Sequence, residues 1–117
     1  MLGIDIIEVE RIEKNLQNPS FLQKILSKEE IEYVNQFKDK ISHIAGFFCV
    51  KEAVMKALED CKNIAFKDIE VLHNANGKPY VKLYGKALEV FEKQNCKSIE
   101  ISISQTKTVA TAICIIN

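Results

Sequence analysis

The sequence predicts a single α+β domain in which a largely antiparallel sheet packs against one long buried helix. Three observations support this fold class. The chain has 117 residues, close to the commonest size of one domain. Its predicted elements run strand, helices, two strands, helix, two strands, an order typical of α+β domains. Hydrophobic residues make up 47% and charged residues 27%, as in ordinary globular proteins. We therefore expect residues 1–117 to form one continuous domain.

In the first half of the chain, one strand precedes a series of helices. Residues 2–9 are rich in β-branched side chains and predict a strand. The predicted helices cover residues 10–26, 27–37 and 41–60. The first is interrupted near Asn18-Pro19, and the second begins with the capping-box pattern of Ser27 and Glu30.

Strands dominate the second half of the chain. They are predicted at residues 68–73, 80–84, 98–104 and 108–116. Residues 74–79 contain Asn, Gly and Pro and predict the turn of a hairpin between the first two of these strands. A helix is predicted over residues 85–94 with Leu88 and Phe91 on its inner side, and residues 105–107 join the last two strands.

Composition excludes several classes of protein. Sixteen basic and sixteen acidic side chains balance, which gives no reason to expect a nucleic-acid partner. No apolar run approaches membrane-spanning length and no signal-peptide pattern is visible, so we expect a cytoplasmic protein without a membrane partner. Four cysteines form no Cys-x-x-Cys pair and have no zinc-ligand spacing to a histidine, and we expect them to be reduced and structural. They are Cys49, Cys61, Cys96 and Cys114.

The predicted helix 41–60 carries apolar side chains in nearly every direction. Such a helix is buried in a core or at an interface. Glu52 and Lys56 nevertheless lie one turn apart on one of its faces. A carboxylate among apolar neighbours is costly unless it is paired or binds a metal. From this helix alone, an ion pair at the edge of the core is favoured over a functional role.

Asp5 is a second acid in an unusual setting. In a strand it shares a face with Gly3, which leaves room for another backbone or a ligand. Because Asp is disfavoured in strands, it has either a turn or capping role at an edge or a functional one. If Asp5 and Glu52 meet in the fold, their oxygens suit Mg²⁺ and a substrate phosphate, with Lys51 and Lys56 beside them.

Two further segments carry possible phosphate-binding groups. Residues 76–79, Asn-Gly-Lys-Pro, form a tight turn with a cationic tip. Residues 102–105, Ser-Ile-Ser-Gln, end a strand in hydroxyls and an amide. Taken separately, an ordinary hairpin and the solvated face of an alternating strand are the commoner interpretations.

These segments, in this order, resemble the holo-acyl-carrier-protein synthase family, the short 4'-phosphopantetheinyl transferases. The resemblance covers nearly the whole chain. Its specific part is Gly-x-Asp-Ile near the start combined with Lys-Glu-Ala-x-x-Lys-Ala in the long helix. The matching segments are Gly3-Ile4-Asp5-Ile6-Ile7-Glu8, Arg11-Ile12, residues 45–58, Asp68-Ile69-Glu70-Val71, Gly77-Lys78-Pro79 and Ser102-Ile103-Ser104.

The resemblance implies a fold, an activity and a set of site residues. The fold is that of 4'-phosphopantetheinyl transferases. The activity is transfer of 4'-phosphopantetheine from coenzyme A to a serine of apo acyl carrier protein, which leaves 3',5'-adenosine bisphosphate, in fatty acid biosynthesis. It implies a homotrimer with active sites between subunits, Mg²⁺ held by Asp5 and Glu52, and Lys56 near the reacting phosphate. The implied coenzyme A contacts are Lys51, Gly77, Lys78, Pro79, Ser104 and Gln105. The implied carrier-protein docking positions are Arg11, Lys14, Lys24 and Lys28.

Two positions depart from the family pattern. Gln105 stands where the family usually has His, and an amide cannot carry a proton near neutral pH. Phe47 stands where the family usually has Arg, which removes one cationic contact. Glu52, directly or through a water that it orients on the metal, is then the expected base. The alternatives are a non-catalytic coenzyme A or carrier-protein binding module, and a structural oligomerisation domain whose charges form interface ion pairs.

Overall fold

The computed structural model describes residues 1–60 and 62–117, and these form an antiparallel α+β structure. The strands are β1 (Leu2–Glu8), β2 (Ile69–His73), β3 (Pro79–Leu83), β4 (Ile99–Gln105) and β5 (Val109–Ile116). The helices are α1 (Val9–Asn15), α2 (Phe21–Ile25), α3 (Lys28–Val34), α4 (Lys40–Leu58) and α5 (Gly85–Lys93), with a 3-10 turn at Phe66–Asp68. The predicted fold class is confirmed.

The strands form a three-stranded sheet in the order β1-β5-β4 and a separate β2-β3 hairpin. All pairs are antiparallel, with Asp5 opposite Ala112 and Ala112 opposite Ile103. Directly opposed residues point to the same face of a sheet. Asp5 therefore faces inward, toward α4, together with Gly3 and Ile7.

Helix α4 is the centre of the core. It begins at the cap residue Asp39, whose carboxylate accepts a bond from the Ser42 amide, and it ends at Glu59 with a left-handed φ of 59°. One side of α4 packs on β1, β5 and β4, and other sides contact α1, α3, α5 and β2. This surrounding protein explains why apolar residues cover most of its circumference. Burial within one chain is sufficient, without an interface.

Gly3 sets the distance between β1 and α4. A Cβ atom placed on Gly3 would lie 1.9 Å from the Ala53 carbonyl oxygen and 2.8 Å from the Ala57 amide nitrogen. Real Cβ atoms do not approach backbone this closely. The predicted space beside Gly3 is therefore filled by the backbone of α4, and this close packing holds Asp5 against the helix.

The opposite face of the three-stranded sheet is apolar and exposed. We call it the outer sheet face and define it by Leu2, Ile4, Ile6 and Ile115, which are 42–69% exposed. In the register, Leu2 opposes Ile115 and Ile4 opposes Ile113, so these side chains form a continuous apolar surface. Contiguous exposed apolar surface of this kind is typical of interaction sites.

Two features of the helices can be compared with the sequence-based expectations. The predicted interruption of helix 10–26 near Asn18-Pro19 is confirmed, because α1 ends at Asn15 and α2 begins at Phe21. The prediction that Leu88 faces inward is wrong: Leu88 is 38% exposed, whereas Ala87 and Val90 are buried and Phe91 packs against the core. The buried stripe of α5 runs through Ala87, Val90 and Phe91 at helical spacing, and Leu88 lies about 100° from it.

Further findings concern the cap of α3, the cysteines and the lengths of the helices. Ser27 and Glu30 form the predicted capping box, since each side chain accepts a bond from the other's backbone amide. Three cysteines form no disulfide, namely Cys49, Cys96 and Cys114, and Cys61 lies outside the described residues. Within residues 1–60 and 62–117, no helix has both the length and the apolarity needed to cross a membrane.

Candidate active site

Asp5 and Lys56 meet at the edge where β1 packs on α4. The Lys56 ammonium donates to Asp5 Oδ1 at 3.2 Å and to the Ile4 carbonyl oxygen at 2.9 Å. The Asp5 side chain is 16% exposed and that of Lys56 is 48% exposed. The pair is therefore open on the lysine side and partly enclosed on the aspartate side.

Glu52 lies one turn before Lys56 on α4 and belongs to the same cluster of charges. Burial raises the pKa of the Glu52 carboxyl group, and the nearby Asp5 carboxylate raises it further. Lys56 and Arg11 act in the opposite direction. The structure thus brings Asp5, Glu52 and Lys56 together. From the sequence, this cluster was predicted only if the strand of Asp5 packs beside the helix of Glu52.

The floor of this cluster is Cys49, one turn before Ala53 on α4. Its side chain is fully buried, and its Sγ donates to the Ala110 carbonyl oxygen at 3.4 Å. Burial raises the pKa of Cys49 to about 12, with a smaller contribution from Asp5. The thiol is neutral and enclosed at ordinary pH, so it is a packing group and not a nucleophile.

The two carboxylates fit a hard divalent cation. Mg²⁺ takes oxygen ligands, is usually held by one or two carboxylates, and keeps other positions for water and phosphate. Burial is the largest cause of the raised pKa of Glu52 and the Asp5 carboxylate adds to it, so a bound cation would stabilise the charged forms of both acids. Among the described residues, no third acid, cysteine or histidine joins them in a metal-binding group. Asp5 and Glu52 would therefore be the protein ligands.

Lys51 does not occupy the position predicted for it. Its side chain is fully buried, and its ammonium donates to Glu30 Oε1 at 2.8 Å, to the Ile25 carbonyl oxygen at 2.7 Å and to the Phe66 carbonyl oxygen at 3.2 Å. Burial lowers the pKa of Lys51, and Glu30 opposes this shift. All three N–H groups are used inside the core. The prediction that Lys51 lines a coenzyme A pocket is therefore corrected.

The turn that contains Gly77, Lys78 and Pro79 lies beside the start of β4. Gly77 has a φ of 83°, a value that favours glycine. The Asn74 side chain accepts bonds from the amides of Asn76 and Lys78 and fixes the turn. A cavity of about 250 Å³ is lined by Asn74, Lys78, Pro79, Tyr80, Ile99, Glu100 and Ile101.

Ser104 and Gln105 lie at the other end of β4 and point to opposite faces. Ser104 is exposed on the outer side, and Gln105 is partly buried on the inner side. A Cβ atom on Gly46 would lie 2.5 Å from Gln105 Oε1, so the Gln105 amide packs over the backbone of α4 at Gly46. Neither residue lines the cavity beside the Gly77–Pro79 turn.

The predicted metal ligand Asp5 and the predicted coenzyme A contacts lie at opposite edges of the three-stranded sheet. Asp5 is on β1 and Gln105 is on β4, and these strands are the two edges of the three-stranded sheet. Two strand spacings separate them, roughly 10 Å. Within one chain, these groups do not line one pocket.

The predicted docking residues are all on the surface. Arg11 and Lys14 are exposed on α1, Lys24 is exposed on α2, and Lys28 is exposed at the start of α3. Lys14 lies 3.9 Å from Glu10, and this exposed pair contributes little to stability. Arg11 also lines an open concavity of about 490 Å³ with Ile6, Ile7, Glu8 and Val109, next to the charge cluster.

Two features of the site region were not foreseen from the sequence. Glu30 was recognised only as a helix cap, and its role as the buried partner of Lys51 has no local sequence signal. Phe47, which stands in place of the family Arg, is buried in an aromatic cluster. It lies 5.7 Å from the Tyr33 ring, which stacks on His73 at 3.8 Å. Phe47 is a core residue, so nothing at this position replaces the cation.

Comparison with known proteins places the chain in a family. Residues 1–114 match the model of the 4'-phosphopantetheinyl transferase superfamily, and the chain belongs to this family. A holo-acyl-carrier-protein synthase of Thermoanaerobacter sp. (strain X514) is 43% identical over 116 residues, covering 97% of this chain and 84% of the relative. The same enzyme of Alkaliphilus metalliredigens is 45% identical, covering 95% and 93%. The crystal structure of Helicobacter pylori holo-acyl-carrier-protein synthase in complex with coenzyme A has a TM-score of 0.86 and 36% identity and covers 100% of both chains.

Proposed function

We propose that this chain is a magnesium-dependent holo-acyl-carrier-protein synthase. It transfers 4'-phosphopantetheine from coenzyme A to a serine of apo acyl carrier protein, acts in the cytoplasm and serves fatty acid biosynthesis. The observation that carries the proposal is the cluster of Asp5, Glu52 and Lys56, in a chain that belongs to the 4'-phosphopantetheinyl transferase family. The two acids and the ammonium are the groups that a pyrophosphate and its counter-ion require.

The reaction is a phosphoryl transfer, in which positioning and charge neutralisation dominate. The serine hydroxyl oxygen of the carrier protein attacks the β-phosphorus of coenzyme A. The bond from that phosphorus to the bridging oxygen breaks, and 3',5'-adenosine bisphosphate leaves. Asp5 and Glu52 would hold Mg²⁺, which would supply positive charge beside the pyrophosphate.

Three side chains of this protein have distinct roles in the reaction. Lys56 donates to a pyrophosphate oxygen and stabilises the negative charge of the leaving group. Glu52 accepts the serine proton, directly or through a water that it orients. Gln105 can donate a hydrogen bond to a phosphate oxygen, but it takes no part in proton transfer.

We also propose that the active protein is a homotrimer with its active sites between subunits. Two observations support this. The outer sheet face is apolar and exposed in a single chain. The predicted coenzyme A contacts at Gly77, Lys78, Pro79, Ser104 and Gln105 lie away from Asp5 and Glu52 in one chain, so a second copy could supply them. Arg11, Lys14 and Lys24 would then steer the acidic carrier protein to the metal side of the site.

A non-catalytic coenzyme A or carrier-protein binding module is the second candidate. Gln105 and the buried Phe47 favour it, because both remove groups that would contact or protonate a phosphate. The retained Asp5 and Glu52 favour the enzyme, since a binding module has little need for two neighbouring acids whose negative charges repel each other.

Intact-mass spectrometry separates the two candidates. Apo acyl carrier protein is incubated with the protein, coenzyme A and Mg²⁺, with a chelator control. The enzyme adds one phosphopantetheine, and the chelator or Glu52→Gln prevents the addition. Glu89→Gln, at an exposed carboxylate on α5, is the matched control and should be as active as the wild type. A folded protein that binds coenzyme A but modifies none of several carrier proteins would instead be the binding module.

Light scattering tests the assembly. We expect Ile4→Lys, on the outer sheet face, to yield monomers without turnover. Leu88→Lys, at an exposed apolar residue of α5, should leave the trimer intact. A wild-type protein that is monomeric yet fully active would contradict the proposed interface sites.

A further inference from the structure

The Lys56 ammonium already binds one of the two carboxylate oxygens of Asp5, the group that a metal ion there would use. Its Nζ lies 3.2 Å from Asp5 Oδ1 and 2.9 Å from the Ile4 carbonyl oxygen. The Asp5 carboxylate is mostly enclosed, so only part of it is accessible from solvent. A divalent cation that reaches Asp5 must therefore compete with an internal cation.

Sharing the carboxylate between the two cations carries an electrostatic cost. Two cations beside one carboxylate repel each other, and this repulsion is stronger in a partly buried site than in water. The lysine can nevertheless leave without a change in the backbone, because its side chain is long and 48% exposed. It needs only another anion to bind.

The anion that would accept Lys56 is the pyrophosphate of the substrate. Once the ammonium binds a phosphate oxygen, Asp5 becomes available to the metal, and the metal in turn binds the same pyrophosphate. Each ligand then removes an obstacle to the other. In equilibrium terms this is a positive coupling between two ligands, and it is reciprocal.

We propose that Lys56 is a positioning residue that couples metal binding to pyrophosphate binding, by holding Asp5 in the free protein and releasing it when coenzyme A arrives. The inference rests on the proposed function, because it assumes the metal at Asp5 and Glu52. It predicts that the free protein binds a divalent ion weakly and that the metal and coenzyme A bind together.

Arg11 provides the matched control. Its positive charge also acts on Glu52, but it lies on α1, and its side chain makes no contact with Asp5 among the hydrogen bonds and ion pairs of the described residues. General loss of positive charge should therefore affect Arg11→Met and Lys56→Met alike, whereas loss of the coupling should affect only Lys56→Met.

The test is a titration of the full-length protein with Mn²⁺, followed by electron paramagnetic resonance, with and without coenzyme A. Mn²⁺ held by coenzyme A in solution is measured separately and subtracted. For the wild type, coenzyme A should tighten Mn²⁺ binding by about 5- to 150-fold, the usual range of such coupling. Lys56→Met should bind Mn²⁺ alone at least about fivefold more tightly than the wild type, with a coupling factor reduced to the part that direct contact between metal and pyrophosphate supplies. Arg11→Met should keep the wild-type coupling factor.

Several outcomes would overturn the inference. One is Mn²⁺ binding to Lys56→Met alone that is no tighter than to the wild type. Another is a coupling factor that Lys56→Met leaves undiminished, or that Arg11→Met lowers equally. Thermal melting confirms that each variant is folded before it is titrated.

Asp5→Asn distinguishes failure of the coupling from failure of the proposed function. If Asp5→Asn binds Mn²⁺ as the wild type does, or if neither the wild type nor Lys56→Met binds it, the metal site itself is wrong and both proposals fail. If Asp5→Asn loses Mn²⁺ and the coupling is absent, only the role of Lys56 is overturned.

Discussion

Replacing Gly3 with alanine would place a methyl group against the backbone of α4. The added Cβ would lie 1.9 Å from the Ala53 carbonyl oxygen, and ordinary van der Waals contact begins at 3.4 Å. The difference, 3.4 − 1.9 = 1.5 Å, is the distance by which β1 and α4 must separate at this point. Because both groups belong to regular elements of the core, neither can move alone.

The expected effect of Gly3→Ala follows from this displacement. Overpacking a core costs about 1–3 kcal/mol and sometimes more, and a clash with backbone falls at the upper end. At about 3 kcal/mol, the melting temperature of a chain of this size falls by roughly 10 °C. The same shift moves Asp5 away from Glu52, and a misplacement of about 1 Å can lower turnover roughly 100-fold.

Urea denaturation and the mass assay measure both effects. Gly46→Ala is the control, because its Cβ would meet only side-chain ends, Gln105 Oε1 at 2.5 Å and Ile103 Cγ2 at 3.2 Å. Alanine also favours a helix by about 1 kcal/mol over glycine, so this variant should unfold close to the wild-type midpoint. If Gly3→Ala unfolded at the wild-type midpoint with wild-type turnover, the argument that close packing positions Asp5 would be refuted.

Three further predictions concern single side chains. Lys51→Met should lower the free energy of unfolding in urea by about 3–5 kcal/mol, because it leaves the Glu30 carboxylate buried and unpaired, and the double variant Lys51→Met/Glu30→Gln should recover part of the loss. The raised pKa of Glu52 means that the folded chain holds this proton more tightly than the unfolded one, so the Glu52 contribution to stability falls as the pH rises above 4.5. Without metal, Glu52→Gln should therefore be more stable than the wild type at pH 7, by roughly 1 kcal/mol in the free energy of unfolding, and should melt at a higher temperature. Near pH 4 the two proteins should melt alike. An equal gain at both pH values would contradict the raised pKa of Glu52. Gln105→His should change turnover by less than about tenfold if Glu52 is the base, whereas a gain of about 100-fold or more would identify an imidazole as the missing base.

The sequence predicted the elements whose signals are local. The capping box of Ser27 and Glu30, the strand around Asp5 and the long apolar helix α4 each depend on residues within a few positions of one another. Leu88 was misplaced because a short helix with few apolar residues admits more than one inward direction. The contact of α5 with the rest of the fold, and not its own pattern, decides which side is buried.

The site was harder to predict because its parts are distant in sequence. Asp5 and Lys56 are 51 residues apart, and Lys51 and Glu30 are 21 residues apart. The family resemblance supplied the association of Asp5 with Glu52, and the structure supplied its cause, the close approach of α4 at Gly3. No sequence pattern distinguished Lys51 from Lys56, although one is enclosed in the core and the other opens to solvent.

The buried pair of Lys51 and Glu30 also sets the angle of α4 about its own axis. A helix that is apolar on nearly every side gains little from hydrophobic burial at one angle over another. Rotation by a single residue, about 100°, would take Lys51 away from its three acceptors and leave Glu30 without its partner. The residue after Lys51 is Glu52, whose direction is fixed by the same constraint. A lysine that is enclosed in the core thereby determines which way Glu52, the proposed base, points.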